Sequence, residues 1–391
     1  MTTNKNYYNG TIPFIKSAEI YFETTQEFLT DEGLQNSSAK WVSKGDLLFA
    51  LYGANSGEVA VSKIDGVINQ AVLCIKNDKQ ISDTTFLYNY FLMAKRFLVA
   101  KFLQGGQGNL SAQIIKQIQI PLPPLAEQEK IAQILSVWDK GISVLKSLIE
   151  AKTKHKKALM QRLLAPPCES PTPSLRASET SVAIHNKSVD CHDLTASNLA
   201  KTEKDSKAKQ SLRFAEFTDK WQEMRLGDII FATTSNLTLQ NIDDKGEFPV
   251  FGANGLIGYI NFYHKENECL GVVKDGAGVG RTYFLPKKSS VLNTLQYIET
   301  NQADIKFVYY LFLNIKWTNW IKGSTIPHIF FNDYKNLTIK LPTLAEQKKI
   351  AQVLSACDKE IELLKSKFQC LKTQKKGLMQ RLLNGKVRVK I

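Results

Sequence analysis

The sequence predicts an α+β protein in which two mixed α/β domains are separated by a pair of long antiparallel coiled-coil helices, with a pseudo-twofold internal repeat. Three observations predict this fold. One helical segment occurs twice, its apolar residues recur with the period of a coiled coil, and each copy follows short strand-like runs divided by glycine-rich turns. With 391 residues, the chain is long enough for two or three domains.

The repeat is the strongest of these observations. Residues 122–164 align without a gap on residues 341–383, an offset of 219 positions, with 26 identities in 43 positions. The motif Leu-Pro-x-Leu-Ala-Glu-Gln-x-x-Ile opens both copies, and Leu-Met-Gln-Arg-Leu-Leu closes both. Chance does not produce a match of this length, so the two halves of the chain share one architecture.

Each copy is predicted to form one long helix that begins after a proline. Apolar residues alternate in steps of four and three from Ile131 and Leu135 in the first copy, and from Ile350 in the second. This 3.5-residue period is typical of a coiled-coil seam, and ~40 residues at ~1.5 Å each make a helix of ~60 Å. Lys156 and Lys375 occupy the same seam position, where a lysine either fixes the register or marks a local bulge or frayed turn.

The two apolar stripes most simply bury each other as an antiparallel pair, although burial of each stripe against another subunit is an alternative. The predicted organisation is a domain at 1–120, a helix at 121–164, a linker at 165–212, a second domain at 213–340, and a second helix with a basic tail at 341–391. The linker is rich in proline, serine, threonine, asparagine and lysine. It has too few apolar residues to form a core, so it is predicted to be flexible.

Both domains are predicted to have the same order of elements, which is typical of a compact α+β unit. A strand-like run ends in a glycine-rich turn, and an asparagine precedes the next apolar strand. An aromatic-rich helix, a loop of small residues and a short strand leading to Leu-Pro then follow. In the first domain the strand-like run is 47–52, the glycine-rich turn 53–57, the asparagine Asn69, the helix 86–103 and the small-residue loop 105–109. In the second domain the run is 270–275, the turn 276–281, the asparagine Asn293, the helix 305–322 and the loop 323–325.

Composition excludes several classes of protein. Hydrophobic residues make up 43% of the chain and charged residues 23%, as in ordinary soluble proteins. The N-terminus is no signal peptide, and no stretch approaches the ~18 unbroken apolar residues of a membrane helix. The six cysteines and five histidines are scattered, and those of the linker have no metal-site spacing, so we expect no metal, no cofactor and no disulfide framework. The chain is interpreted as cytoplasmic, with reduced thiols.

The net charge of +14 is unevenly distributed. Residues 121–164 carry an excess of four positive charges and residues 341–391 an excess of eight, while the two domains are close to neutral. A solvated helix face accounts for this excess about as well as a polyanion or an acidic partner surface does.

Sequence motifs of common catalytic sites are missing. The glycines of 276–280 resemble a dinucleotide-binding turn, but the strand-like residues 281–286 follow, where that motif requires a helix. There is no phosphate-binding loop ending in Gly-Lys-Ser/Thr, no Gly-x-Ser-x-Gly elbow and no His-Glu-x-x-His helix. The chain is therefore predicted to be a recognition scaffold and not an enzyme.

Glycine-rich turns suit DNA recognition because small residues let backbone N–H groups approach phosphates, while polar side chains on rigid turns reach base edges. The need for a tight turn alone explains any single glycine equally well. The candidate DNA-binding residues are the polar and basic ones in or near these turns: Asn55, Ser56, Lys63, Gln107, Asn109, Asn254, Lys274, Arg281, Lys322, Ser324 and Thr325.

The duplicated Leu-Pro-x-Leu-Ala-Glu-Gln-x-x-Ile helices, each after a different domain, resemble the specificity subunit of type I restriction–modification enzymes. Further motifs resemble the target recognition domains of that family. They are Gly-Thr-Ile-Pro-Phe-Ile-Lys at 10–16, Tyr-Gly-Ala-Asn-Ser-Gly at 52–57, Phe-Thr-Asp-Lys-Trp at 217–221, Leu-Gly-Asp-Ile at 226–229 and Gly-Ala-Asn-Gly at 252–255. The resemblance spans nearly the whole chain.

The resemblance implies a subunit that does no chemistry itself. Each target recognition domain would read one half of a split site in double-stranded DNA. The helices would set the spacing and dock two methyltransferase subunits, and restriction (translocase) subunits would join them. Candidate docking residues are Glu127, Gln128, Trp138, Arg162, Glu346, Gln347 and Arg381.

One departure from the family pattern concerns the first domain. The second domain opens with Trp221 and Leu-Gly-Asp-Ile at 226–229, and no such opening precedes the first. We therefore expect a first recognition domain that lacks a strand or two, either because a start site lies upstream or because the domain is rebuilt. The two alternative functions are a self-contained methyltransferase or nuclease and a pure coiled-coil scaffold. A self-contained methyltransferase or nuclease would need an Asn-Pro-Pro-Tyr-like or metal-carboxylate motif, which is missing, and a pure coiled-coil scaffold would not need two elaborate domains.

Overall fold

The computed structural model describes residues 5–102, 110–166, 212–243 and 245–390. It forms two compact units, which are described separately: unit 1 comprises Met1–Leu148 and Leu364–Ile391, and unit 2 comprises Ile149–Leu363. Each unit therefore contains one globular domain and parts of both long helices. In the described residues, no helix is both long enough and apolar enough to cross a membrane.

In its described residues, the globular domain of unit 1 has two small sheets and three α-helices. The strands are β1 Tyr8–Ile15, β2 Phe28–Leu29, β3 Lys40–Val42, β4 Leu47–Ala50, β5 Val59–Val61, β6 Gly66–Ile68 and β7 Val72–Ile75, and the helices are α1 Asp31–Gln35, α2 Thr84–Phe102 and α3 Ala112–Lys116. One sheet has the order β2-β1-β6-β3 and the other β5-β4-β7.

Strand β4 is the centre of this domain because it is covered on both faces. All four of its residues are fully buried. Leu47 and Phe49 pack with Phe86 and Phe91 of α2 in one core, while Leu48 belongs to a second core on the opposite face. The continuous apolar run, which shows no alternation, is what a strand buried on both faces requires.

The globular domain of unit 2 has a similar order of elements with an added opening. Its elements are β8 Gln222–Arg225, α5 Leu226–Ile229, β9 Phe231–Thr234, β10 Phe248–Gly252, β11 Gly255–Ile260, β12 Cys269–Val273, β13 Thr282–Leu285, β14 Ser290–Val291, β15 Leu295–Glu299, α6 Ile305–Asn314, α7 Phe331–Tyr334 and β16 Thr338–Leu341. The sheets have the orders β11-β10-β14, β13-β12-β15-β9 and β16-β8.

Two predicted elements differ from the structure. The predicted helix at 305–322 ends at Asn314, and a short 3-10 turn follows at Trp317–Asn319. The chain turns here because the Trp317 ring packs between Phe312 and Tyr334. In the first domain, residues 119–122 form no strand before Leu-Pro, whereas the equivalent β16 pairs with β8. Strand β13 confirms that no helix follows the glycines of 276–280.

The long helices are α4, Leu125–Leu163, and α8, Leu344–Leu382. In unit 1, Ile131 and Leu135 of α4 share a core with Met379 and Leu382 of α8. In unit 2 the equivalent residues at the other ends of the helices pack together, and these are Met160, Leu163, Ile350 and Leu354. In both units, therefore, the start of one long helix and the end of the other pack together against the globular domain.

The two seam lysines bind aspartates of the opposite helix. In unit 1, Lys375 Nζ lies 2.6 Å from both carboxylate oxygens of Asp139. In unit 2, Lys156 Nζ binds Asp358. The two pairs are related by the repeat offset of 219, and neither helix is interrupted at the lysine. The lysines thus form ion pairs and mark no bulge.

Candidate nucleic-acid interface

In the second domain, Arg281 joins two of the predicted loops. It lies at the end of the loop between β12 and β13, and its Nη1 donates to the Ala253 carbonyl at 2.8 Å and to Asn254 Oδ1 at 3.0 Å, in the turn between β10 and β11. Tyr283 Oη donates to the same Ala253 carbonyl at 2.8 Å. Arg281 and Asn254 are exposed, so the two loops form one polar surface.

A third loop lies against the same hairpin. Gly276 N donates to the Pro327 carbonyl at 2.8 Å, and Ile329 N donates to the Lys274 carbonyl at 2.9 Å. The structure therefore brings five of the predicted positions together with Arg281 on three adjacent loops. These are Asn254, Lys274, Lys322, Ser324 and Thr325. We name this surface, with Arg281, the three-loop surface.

Glycine backbones set the shape of the three-loop surface. Gly276, Gly280 and Gly323 have φ values of +92°, +83° and +86°, which L side chains rarely adopt. At Gly280 an added Cβ would lie 2.4 Å from Cγ of Trp317, so the turn is pressed against an aromatic ring. These glycines are needed for tight turns, and the same turns carry the exposed polar side chains.

The three-loop surface carries three cationic side chains, and each of them has a polar partner. Both hydrogen bonds of Arg281 use Nη1, so the edge formed by Nη2 and Nε meets no acceptor in the described residues. Lys322 is exposed and lies 2.9 Å from Asp333, and Lys274 lies 3.7 Å from Asp275. An oriented guanidinium edge is the geometry that binds guanine O6 and N7 or two phosphate oxygens.

The first domain places only part of its predicted set together. Asn55 and Ser56 lie in the β4–β5 loop, where Ser56 Oγ donates to the Leu51 carbonyl at 2.9 Å. Leu110 N donates to the same carbonyl at 3.1 Å, so the chain returns to this loop after the helix. Gln107 and Asn109 lie outside the described residues.

Lys63 does not belong with that loop. It follows β5 at the opposite end of the β4–β5 hairpin, where Ser62 N donates to the Asp46 carbonyl at 2.8 Å. Its ammonium faces Glu23 at 3.3 Å. The sequence grouped Lys63 with the turn because it is nearby along the chain, but the three-residue strand β5 carries it to the other end of the hairpin.

Four of the predicted docking residues are buried, which corrects their assignment. Glu127, Gln128, Glu346 and Gln347 are at most 2% exposed. Gln128 accepts from Asp83 N at 3.0 Å, and Gln347 accepts from Asp304 N at 2.9 Å. Gln128 thereby binds the N-cap aspartate of α2, and Gln347 binds that of α6. These side chains attach each domain to its long helix and have no exposed surface for a partner to contact.

The two glutamates anchor arginines that the sequence did not single out. Glu346 receives two hydrogen bonds of 2.9 Å from Arg213 and one of 3.2 Å from Trp221 Nε1. Glu127 receives three hydrogen bonds from Arg388, which hold the pKa of its carboxyl below the usual value. Both arginines lie outside the aligned repeat, so the offset alone could not identify them.

The other three predicted docking residues remain accessible. Arg162 and Arg381, which are equivalent in the repeat, are exposed, and Trp138 is half-buried on α4. Asp139 and Asp358 were missed as partners of the seam lysines. The signal was present, since the repeat places aspartates and lysines at matching offsets and an antiparallel pair brings each aspartate to a lysine. Among the described residues, no group of three or more His, Cys, Asp or Glu side chains could hold a metal ion.

Comparison with known proteins matches the model of one family to most of the chain. The family is the type I restriction modification DNA specificity domain, and it matches residues 1–152 and 218–373, one match for each domain with its helix. Two relatives are from Methanocaldococcus jannaschii. The type I restriction enzyme MjaVIII specificity subunit is 25% identical over 366 residues, covering 89% of this chain and 80% of the relative. The putative MjaX specificity subunit is 27% identical over 372 residues, covering 88% and 79%.

Two solved structures have a similar fold. A type I restriction–modification S subunit from M. genitalium aligns with a TM-score of 0.56 at 17% identity, covering 98% of this chain and 91% of that one. A chain from a structure of type I restriction–modification complex assembly aligns with a TM-score of 0.56 at 15% identity, covering 96% and 92%. At these identities the likeness concerns the fold alone.

Proposed function

This chain belongs to the type I restriction–modification DNA specificity family, and from that membership we propose how it recognises DNA. It is a DNA-recognition subunit, as its relatives are specificity subunits. Its two globular domains each read one half of a split site in double-stranded DNA. The observation that carries this proposal is the three-loop surface, where Arg281 fixes two glycine-rich loops and exposes its remaining N–H groups.

In the second domain the reading surface comprises Asn254, Lys274, Arg281, Lys322, Ser324 and Thr325. Arg281 is the base-reading candidate because its guanidinium is held in one orientation by two acceptors. In the first domain we assign the corresponding role to Asn55 and Ser56, on the equivalent hairpin loop, and to Gln107 and Asn109 from the sequence alone. Lys63 is left out, because it lies at the far end of the hairpin.

The long helices act as the spacer between the two reading domains. We assign α4 and α8 to an antiparallel coiled-coil pair with pseudo-twofold symmetry, supported by the matched pairs Lys156–Asp358 and Lys375–Asp139. An ion pair within an apolar seam disfavours shifted registers, since a shift would strand a buried ammonium. This assignment also accounts for the domain boundaries predicted near residues 120, 165, 212 and 340.

Partners would bind the exposed faces of these helices. Arg162 and Arg381 are exposed and Trp138 is half-buried, and the excess positive charge of the two helical segments complements an acidic protein surface or spacer phosphates. Because the helix motif is duplicated, two methyltransferase subunits would dock, one on each copy, and restriction subunits would complete the complex. The chain itself performs no methyl transfer and no cleavage.

Mapping the methylated bases of the source genome, with and without this gene, tests the function. We expect one split motif to lose methylation in the deletion strain and to regain it when the gene is restored. A motif that stays methylated without the gene would contradict the proposal. So would methyl transfer to duplex DNA by the purified chain alone, since it would make the chain the enzyme.

If the helices set the distance between the two half-sites, longer helices should select DNA sites with a longer spacer between the half-sites. Three heptads inserted after Ser147 of α4 and after Ser366 of α8, which are equivalent in the repeat, keep the seam in phase and add about 32 Å at ~1.5 Å per residue. This corresponds to ~9 base pairs, close to one DNA turn. We expect both half-site sequences of the methylated motif to stay the same and the spacer between them to lengthen by ~9 base pairs. The same heptads inserted in α4 alone serve as the mismatched control, and an unchanged spacer with full activity would assign the distance to the partner subunits.

A further inference from the structure

The third loop of the three-loop surface carries an apolar side chain that the proposed reading surface does not use. Ile326 is 64% exposed and directly follows the polar residues Ser324 and Thr325. An isoleucine donates no hydrogen bond, so it binds neither a phosphate nor a polar base edge. Single exposed apolar residues are common on proteins, and exposure alone assigns Ile326 no role. The way its loop is built gives the further evidence.

Residues 322–328, which we name the Ile326 hairpin, are closed by two reciprocal backbone hydrogen bonds. Lys322 N donates to the His328 carbonyl at 2.9 Å, and His328 N donates to the Lys322 carbonyl at 2.8 Å. The turn is tight, since Gly323 has a φ of +86° and a Cβ added to it would lie 2.4 Å from the Ile326 carbonyl oxygen. His328 Nδ1 lies 3.2 Å from the same oxygen. The backbone at Ile326 is thus held from inside the hairpin.

The Ile326 hairpin is also attached to the glycine-rich loop between β12 and β13. The Pro327 carbonyl, which directly follows Ile326, accepts from Gly276 N at 2.8 Å, and Ile329 N donates to the Lys274 carbonyl at 2.9 Å. Ile326 therefore stands on a support that is continuous with the loop that carries Arg281. An exposed side chain on a fixed backbone loses little conformational freedom when a ligand covers it, which favours binding.

The chemistry of the DNA grooves indicates what an apolar side chain on this surface would contact. The guanidinium edge of Arg281 matches guanine O6 and N7, and both of these atoms face the major groove. The apolar group that a base pair presents in the major groove is the C5-methyl group of thymine, whereas the minor groove presents no methyl group. DNA that meets Arg281 with its major groove therefore offers the neighbouring Ile326 hairpin a methyl group wherever a thymine lies.

We propose that Ile326 contacts the C5-methyl group of a thymine in the half-site that the second domain reads. The thymine lies at a different position from the base that Arg281 binds, because Arg281 reaches towards the β10–β11 turn while the Ile326 hairpin contacts residues 274–276. The contact selects thymine over cytosine, which lacks the methyl group. This inference rests on the proposed function, since it requires the three-loop surface to face DNA.

Replacement of thymine by uracil tests the contact, because the two bases differ only in the methyl group. The full chain is titrated by fluorescence anisotropy with duplexes that carry the motif found by methylation mapping, each with one thymine of the half-site replaced by uracil. At one position we expect uracil to weaken binding about fourfold, since a buried methyl group is worth ~0.8 kcal/mol and ~1.4 kcal/mol corresponds to a factor of ten. The Ile326→Ala chain should bind the thymine and uracil duplexes equally.

Two further variants separate this contact from a general effect on the domain. Ile326→Val keeps a branched apolar side chain and should keep a preference of roughly twofold or more for thymine over uracil. Phe231→Ala is the matched control, because Phe231 is 45% exposed and lies at the opposite end of the same sheet. It pairs with Glu299 at the end of β15, whereas Leu295 at the start of β15 pairs with Val273, just before the glycine-rich loop. The control should show the full uracil effect.

Several outcomes would overturn the assignment of Ile326. They are a half-site without thymine, no uracil effect at any thymine of the half-site, and a uracil effect that persists in the Ile326→Ala chain. An Ile326→Ala chain that binds all duplexes more weakly but still discriminates thymine from uracil would also overturn it. The proposed function fails separately, if the original chain binds the motif no better than a duplex of scrambled sequence. Preference for the motif without a uracil effect removes the Ile326 contact alone.

Discussion

The two globular domains are attached to helices that share 26 of 43 aligned residues, but the domains differ in how they are built. In the second domain the sheet that carries the glycine-rich loop has four strands and Leu341 is buried. In the first domain the equivalent sheet has three strands among the described residues, and Leu122 is exposed. The anchors beneath them are the same: a Glu-Gln pair on the helix, an arginine on the glutamate and an N-cap aspartate on the glutamine. The same anchors on the helix thus support two domains whose sheets differ.

The largest difference between the two anchors should appear when the glutamate is removed. Glu346 is 1% exposed and the Arg213 side chain is 19% exposed, so Glu346→Ala leaves that guanidinium with the Asp219 carbonyl as its acceptor and should destabilise unit 2 by about 2–3 kcal/mol. Glu127→Ala should destabilise unit 1 less, because the Arg388 side chain is 67% exposed and returns to water. Hydrogen exchange of core amides in each unit measures both losses. Equal losses would contradict the difference between the anchors.

The glycine-rich turns of the two domains should also respond unequally. Gly280→Ala combines a φ of +83° with a Cβ placed 2.4 Å from the Trp317 ring, and should cost about 3 kcal/mol. Gly57→Ala has a similar φ of +84°, but its Cβ would meet Cγ2 of Val99 at 3.0 Å, a longer distance than that to the Trp317 ring, so the cost should be about 1–2 kcal/mol. Local exchange of the β12–β13 and β4–β5 hairpins distinguishes them. A larger loss of stability in Gly57→Ala than in Gly280→Ala would mean that the Trp317 ring can move aside at little cost in free energy.

The smallest effect should come from the two lysine–aspartate pairs. Asp139→Asn leaves the Lys375 side chain, 9% exposed, without its carboxylate, and should cost about 1 kcal/mol because the aspartate itself is half-exposed. Asp358→Asn should cost less, since Lys156 also lies 5.2 Å from the centre of the Tyr310 ring. Urea unfolding of both variants beside the original chain gives the order. The reverse order would assign the stabilisation to the hydrogen bond from Tyr310 Oη to Asp358.

Much of this organisation could be predicted from sequence because it repeats. The ungapped match and the 3.5-residue period locate both helices, which the structure begins at Leu125 and Leu344, after the predicted prolines. The glycine-rich turns can be located in the sequence as well, since glycine adopts their positive φ values without the strain that a Cβ brings. Contacts between distant segments were not predictable in this way. Arg281 reaches Asn254 across two strands, and neither residue carries a periodic signal.

The buried Glu-Gln pairs show why helix patterns mislead about exposure. Glu127 and Gln128 are polar and stand near the start of a helix, a position where charged residues usually face solvent. They are buried because each of their polar atoms has a partner: Arg388 binds the Glu127 carboxylate, Asp83 N donates to Gln128 Oε1, and Gln128 Nε2 donates to the carbonyls of Ile81 and Pro123. Sequence alone contains the residues of such a cluster but not their proximity.

The central claim is that each domain reads its own half of a split DNA site. Its most direct test is sequencing of the methylated motif in cells whose chain carries Arg281→Ala, with Lys287→Ala, an exposed lysine at the far end of the same hairpin, as the control. The account predicts that base preference relaxes at one position of one half-site, because Arg281→Ala removes roughly 1–3 kcal/mol of discrimination between bases at that position. The other half, the spacer length and the control motif should stay unchanged. Relaxation in both halves together, or an unaltered motif at full methylation, would contradict it.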